Sequence, residues 1–203
     1  MKKVYTKKVT NMDEIIANVQ GENVVCFSTF VEEGTGSEAN REWLLDWLIE
    51  RDHYPLYLGV TIYADMYEPL KPWLADLKID YETYYLYRAY KEERDIGLVM
   101  TIESKEMLVA TIDELYWLAE QNNPFGLSNA PIFNFETVQI GTVGAGVLEE
   151  DVLTAHLNDK MTVVTVAHDG RGFHICTTEE RFKTMEQVKE TFPTAYGPSS
   201  NQV

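Results

Sequence analysis

The sequence predicts an α+β fold, with mixed α/β layers in which antiparallel hairpins are followed by Thr-capped helices. Three observations carry this expectation. Met161 to His168 is rich in β-branched residues, Asp169-Gly170 is a favoured two-residue hairpin turn, and Arg171 to Thr177 returns as a second strand. Thr10, Thr111 and Thr184 each stand between an extended approach and apolar residues at helical spacing, and Glu114 and Gln187 sit where a capping box needs them. The order strand, strand, helix also occurs twice, over 84–122 and 161–192, with Gly97-Leu98-Val99-Met100 and Gly172-Phe173-His174-Ile175 in matching places. Two related strand-strand-helix units are therefore expected.

From the N-terminus, a helix is expected after Thr10, then a buried strand over Val24 to Phe30. Ser37 is placed to cap a helix reaching about Asp52, with Trp43, Leu44, Trp47 and Leu48 on one face. Leu56 to Ala64 is strand-forming, and Pro69, Pro72 and Trp73 open a short helix ending near Ile79. Tyr84 to Tyr90 and Ile96 to Glu103 form a strand pair about the charged turn Lys91 to Asp95. The following helix starts at Thr111, or as one longer helix near Ser104, and ends at Asn122-Asn123-Pro124. Gly141 to Gly146 is a flexible connection into a helix beginning Leu148-Glu149-Glu150-Asp151. In the closing hairpin a two-residue loop pairs His168 with Arg171, which puts Val164, Val166, Phe173 and Ile175 on the core face and Val163, Thr165, His174 and Cys176 on the other. The last helix runs from Thr184 to Phe192 and is stopped by Pro193. One globular domain over 1–196 is expected, or two lobes of about 1–90 and 91–196, with 197–203 a flexible tail.

Of 203 residues, 33 are acidic and 17 are Lys or Arg, a formal charge of −16, while 45% are hydrophobic. That apolar content suits a packed core and not a disordered acidic tail. The charge excludes a protein that wraps nucleic acid or lies on an anionic membrane, because both demand cations on the contact face. The excess is local: residues 11–70 hold twelve acids and two bases, residues 97–159 ten acids and one base, and residues 1–10 four lysines and no acid. The basic start is followed by no apolar stretch of the kind a secretory signal needs, and no apolar run reaches membrane-spanning length. Cys26 and Cys176 lie far apart among strand residues and are expected to be reduced thiols of a cytoplasmic protein, with a long-range disulfide as the alternative.

Few residues offer chemistry. His168, His174 and Cys176 lie within nine residues and have metal-ligand character, but the hairpin register turns His168 away from the other two. Gly141-Thr142-Val143-Gly144-Ala145-Gly146 matches no phosphate-loop spacing, and the acids after it would repel a phosphate. Glu32-Glu33-Gly34-Thr35-Gly36-Ser37-Glu38 lacks the alternating acids of a calcium loop. No catalytic residue set and no cofactor is expected. The unusual feature is tyrosine: nine of the twelve fall between 54 and 90, and along the strand Tyr85 and Tyr87 share one face while Tyr84 and Tyr90 share the other.

These observations favour a non-catalytic, acidic cytoplasmic binding protein that engages a basic protein partner, of the immunity-protein or phage or plasmid inhibitor type, including a nucleic-acid mimic. The expected contact residues are Glu32, Glu33, Asp65, Glu68, Tyr85, Tyr87, Tyr90, Glu92, Glu93, Asp95, Glu149, Glu150 and Asp151. Two other readings stay open. One is an enzyme or a small-ligand or metal protein using the His174/Cys176 face. The other is a homo-oligomeric structural protein joined through its tyrosines.

Overall fold

Strict alternation along the strands explains the architecture. In the strand Leu56–Ile62 (β4), Leu56, Leu58, Val60 and Ile62 are buried against helices, while Tyr57, Gly59 and Thr61 face the other way. The strand Ile96–Ile102 (β6) repeats the pattern, with Ile96, Leu98, Met100 and Ile102 on the helix side. A sheet buried on both faces follows from this period of two. The computed structural model describes residues 2–12, 15, 17–32, 36–87, 95–143 and 146–199.

The remaining strands are Lys2–Lys8 (β1), Asn18–Gly21 (β2), Val25–Val31 (β3), Asp80–Tyr85 (β5), Phe125–Ser128 (β7), Phe133–Val143 (β8), Gly146–Leu157 (β9), Thr162–Val166 (β10), Phe173–Thr177 (β11) and Tyr196–Pro198 (β12). The helices are Ser37–Arg51 (α1), Ala64–Asp76 (α2), Lys105–Glu120 (α3) and Met185–Lys189 (α4). Nine strands form one sheet in the order β12-β1-β3-β11-β10-β7-β4-β6-β5, and β2-β9-β8 form a second. Apart from the parallel pair β1–β12, every pairing in the large sheet is antiparallel. The fold is α+β, with the helices on one face of the large sheet and the small sheet on the other. Strands from residues 1–90 and 91–196 interleave within the large sheet.

The C-terminal hairpin has the register expected from its turn: Val166 faces Phe173 and Val164 faces Ile175. Asp169 and Gly170 both have positive φ (57° and 66°), as the mirror-image hairpin turn requires, and the Arg171 N–H donates to the His168 carbonyl at 3.1 Å. The face carrying Val163, Thr165, His174 and Cys176 is also buried, because the small sheet covers it. Thr184 forms the expected capping box: its Oγ1 accepts from the Gln187 N–H at 3.3 Å, and the Gln187 Oε1 accepts from the Thr184 N–H at 3.0 Å. Thr184→Ala should lower stability by about 1 kcal/mol in urea denaturation, and Thr184→Ser should leave it near wild type. Equal stability of all three would show that the cap contributes nothing.

Several elements differ from expectation. The helix α3 starts at Lys105, capped by Ser104, whose Oγ accepts from the Met107 N–H at 3.2 Å; Thr111 lies buried in its interior. This is the single longer helix allowed above. The helix α2 begins at Ala64, so Pro69 and Pro72 fall inside it. Both prolines sit on its exposed side. The helix expected after Thr10 rests partly on residues 13, 14 and 16, which lie outside the described residues; beyond it Asn18–Gly21 is a strand. The strand expected over Tyr84 to Tyr90 is β5 at Asp80–Tyr85, and 88–94 lie outside the described residues.

The largest correction concerns 133–157. The acids Glu149, Glu150 and Asp151 do not open a helix but lie in β9, which pairs with β8 in a long hairpin, with Phe135 facing Leu153 and Gln139 facing Glu149. The hairpin crosses the large sheet where side chains are missing. A Cβ on Gly59 would come within 2.7 Å of Leu153 and 2.9 Å of the Phe133 ring, and one on Gly97 within 2.5 Å of the Phe135 ring. Gly126, directly opposite Gly59, is 3.0 Å from the same Phe133 ring on that measure. The three glycines thus form the trough in which two phenylalanines lie. The expected flexible tail is corrected in part. Gly197 and Pro198 belong to β12, and Ser199 donates through its N–H to the Val4 carbonyl at 2.8 Å and through its hydroxyl to Glu32 at 2.6 Å. Residues 200–203 lie outside the described residues.

Candidate functional site

One end of the large sheet collects most of the expected contact residues. Ile62 ends β4 opposite Ile96, and Ile96 stands opposite Tyr85 at the end of β5. The strand β5 is at one end of the nine-strand order, so one of its edges has no strand partner among the described residues. Tyr85 and Tyr87 are 64% and 52% exposed, unlike most large apolar side chains here. Tyr84, on the opposite face, packs its ring 5.2 Å from that of Phe135 and donates its hydroxyl to Glu82 at 2.8 Å. Burial, then the Glu82 hydrogen bond, raises the Tyr84 phenol above its ordinary pKa. Tyrosine therefore does occupy both faces of the strand, with one face engaged in packing.

The β8–β9 ribbon reaches this corner. Asp151 ties it to the chain after β5: its Oδ2 accepts from the Tyr87 N–H at 2.7 Å, its own N–H donates to the Tyr87 carbonyl at 3.0 Å, and its Oδ1 accepts from the Thr137 hydroxyl at 2.6 Å. Asp151 is thus a structural clamp. Beyond it the ribbon carries Glu150 and the exposed Glu149 outward, with Ile140 (45% exposed) and Val147 (56% exposed) toward its tip. A β-bulge between Gln139 and Gly141 bends the strand at Ile140. Ile140 and Val147, which the sequence reading passed over, belong to this surface. The signal for them was available in the alternation of 137–152, once that stretch is read at a period of two.

The other expected residues divide. Asp65 lies exposed in the first turn of α2, at the same end of the sheet; Glu68, one turn on, forms an ion pair with Lys71 at 2.5 Å. Asp95 is 5% exposed, and its carbonyl accepts from the Leu86 N–H at 2.9 Å, so it belongs to the interior. Glu32 follows β3, six strands from β5 in the sheet, a separation of roughly 29 Å. It takes the Ser199 hydroxyl and stands apart from the cluster. Glu33, Tyr90, Glu92 and Glu93 lie outside the described residues.

The weak metal candidates are corrected. Cys176 stands directly opposite Cys26 on β11 and β3, with Cα atoms 4.1 Å apart, and the two sulfurs form a disulfide. Neither is the reduced thiol expected, because strand pairing brings together residues 150 apart in sequence. His174 is buried on the same face, while His168 sits in the turn with its Nδ1 3.0 Å from the Asn122 Oδ1. The three do not share a site, and no group of three potential ligands occurs among the described residues. No helix among the described residues is long and apolar enough to cross a membrane.

Comparison with known proteins finds no matching family model, no similar curated protein and no similar solved structure.

Proposed function

We propose that the protein is a non-catalytic, acidic binding protein whose β5–ribbon corner engages a basic protein partner, in the manner of an immunity protein or a phage or plasmid inhibitor. The observation that supports this reading most is the convergence of exposed Tyr85 and Tyr87 with the projecting acids Glu149 and Glu150 on the unpaired edge of the sheet. Tyrosines give contact area at low entropic cost, and carboxylates around them steer a cationic surface and reject an anionic one. Asp80 and Glu82 on the same edge strand set like charges against a second copy of this chain, which favours the basic partner over self-assembly.

The test uses the whole protein as bait in extracts of its source cells, with the recovered partner then purified and its affinity measured. The reading expects a basic partner, affinity falling at least tenfold between low and physiological salt, and a further 10- to 100-fold loss in the double variant Tyr85→Ala/Tyr87→Ala. A salt-independent complex, or one indifferent to both the tyrosine pair and Glu149→Lys/Glu150→Lys, would overturn it. A dimer of the protein alone on sizing chromatography, abolished by the tyrosine substitutions, would replace it with the homo-oligomer. A cytoplasmic compartment remains part of this proposal. The Cys26–Cys176 pair weighs toward an oxidising one, and the mass of protein isolated with its thiols blocked decides between them.

A further inference from the structure

The ribbon leaves part of the sheet face that it crosses uncovered. Residues facing one another across the large sheet form two rows on that face, Asp80–Thr101–Tyr57 and Glu82–Val99–Gly59. Phe133 lies over Gly59, and Phe135 covers Gly97 further along β6. Val99 and Thr101 are the residues of β6 left half-buried. They form the floor of a cleft of about 170 Å³, with Phe133 and Tyr57 on one side and the exposed Asp80 and Glu82 on the other. This volume equals that of about five waters at roughly 30 Å³ each, and it is smaller than a pocket for a drug-sized ligand.

The lining suits a cation on a short apolar stem. Asp80 and Glu82 are two apart on one strand, so both carboxylates stand on the same face, and Asp80 faces Thr101 across the ladder. The Glu82 Oε2 accepts from the Tyr84 hydroxyl at 2.8 Å. Among the described residues no cation pairs with either acid, and no donor reaches the Asp80 carboxylate or the Glu82 Oε1. The two acids repel an anion. A resident metal ion lacks its third ligand, since no group of three His, Cys, Asp or Glu able to hold one occurs among the described residues. A primary ammonium matches the site, because its three N–H donors meet two carboxylates and the Thr101 hydroxyl. The four-carbon stem of a lysine would lie along Val99 and Phe133, out of water.

We propose that this cleft takes one lysine side chain of a basic protein partner. The inference rests on the reading of the β5–ribbon corner, because a partner set against the outer edge of β5 meets Tyr85 and, roughly 10 Å along the strand, Glu82. The whole protein is titrated by NMR with N-acetyl-lysine N-methylamide. The norleucine analogue keeps the stem without the charge, and n-butylammonium represents a free amine. The capped lysine should move the Val99 and Thr101 amides selectively. It should bind about tenfold more tightly than the norleucine analogue, at least as tightly as butylammonium, and about tenfold more weakly to Asp80→Asn/Glu82→Gln. Should that variant fail to fold, weaker binding of the capped lysine to the wild type at physiological than at low salt tests the same charges. Tyr85→Ala/Tyr87→Ala should bind the capped lysine like wild type while losing the partner, so the cleft and the corner fail separately. Capped-lysine binding by a protein that recovers no basic partner would support the lysine site and overturn the corner. No selective movement at Val99 and Thr101, equal binding of the norleucine analogue, tighter binding of butylammonium than of the capped lysine, or a partner affinity untouched by Asp80→Asn/Glu82→Gln would each overturn the proposal.

Discussion

Phe133→Ala is expected to lower stability by about 3–5 kcal/mol, the range for removing a buried aromatic ring from a core that cannot close over the gap. Phe133 is 7% exposed and lies over Gly59 and Gly126, so neither neighbour has a side chain able to fill the space. The complementary change is smaller but more diagnostic. A methyl group at Gly97 would meet the Phe135 ring first, at 2.5–2.8 Å, so Gly97→Ala should cost about 1–3 kcal/mol. The same substitution made together with Phe135→Ala should cost almost nothing beyond Phe135→Ala alone, because the clash has lost its second member. Urea denaturation of the four proteins measures this coupling. Additive effects would mean that the ribbon does not lie in the glycine trough. The Phe133 and Phe135 variants should also weaken partner capture beyond what the stability loss predicts, since the ribbon positions Glu149 and Glu150 beside Tyr87.

What could be read in the chain, and what could not, follows from the range of the forces involved. The register of the β10–β11 hairpin was legible because a two-residue turn with two positive φ values leaves one pairing, and the turn residues adjoin the strands they join. Thr184 was legible as a cap for the same reason of locality, whereas Thr111, which shows the same local pattern, lies inside α3 and Ser104 caps that helix. The ribbon was not. Its acids in β9 resemble a helix start, and its burial depends on three glycines, two of which, Gly59 and Gly97, lie 74 and 38 residues from the phenylalanines that cover them. Gly59, Gly97 and Gly126 mean nothing individually; they acquire a role only when β7, β4 and β6 lie side by side. The candidate surface divides the same way. Tyr85 and Tyr87 were visible as a parity pattern, whereas the meeting of the Tyr87 backbone with Asp151 is a contact between residues 64 apart in the chain.

The charge pattern also takes on a shape. The two acidic stretches contribute to the same end of the sheet through Asp65 and the ribbon, while Glu32 sits roughly 29 Å to the side. The cations Arg51 and Arg181 are held at the other end of the molecule, near the start of β4 and the start of β10. A protein of charge −16 thus keeps these two cations, Arg51 half-buried and Arg181 exposed, away from the end that carries Asp65 and the ribbon acids. Steering of a cationic partner should therefore favour the β5–ribbon end, and adding Lys at Glu149 should slow association more than it speeds dissociation.

The double substitution Cys26→Ala/Cys176→Ala is expected to remove about 2–4 kcal/mol of stability from the oxidised protein. The bridge closes a loop spanning a sequence separation of 150 residues, so in the unfolded chain it joins regions that would otherwise wander freely. Both sulfurs are buried beneath the small sheet, at 2% and 0% exposure for the two residues, so a reductant should act only on molecules that have opened. Three measurements fit together if the bond is present. The oxidised protein is lighter than its reduced form by two hydrogens, reductant lowers its urea midpoint, and reductant leaves the double alanine variant unchanged. Two thiols that react with a blocking reagent in denaturant, with no reductant present, would show instead that β3 and β11 are held by their ladder alone. In that case Cys26 and Cys176 would be a packed pair of small apolar side chains, and the double substitution should cost only the small cavity it leaves.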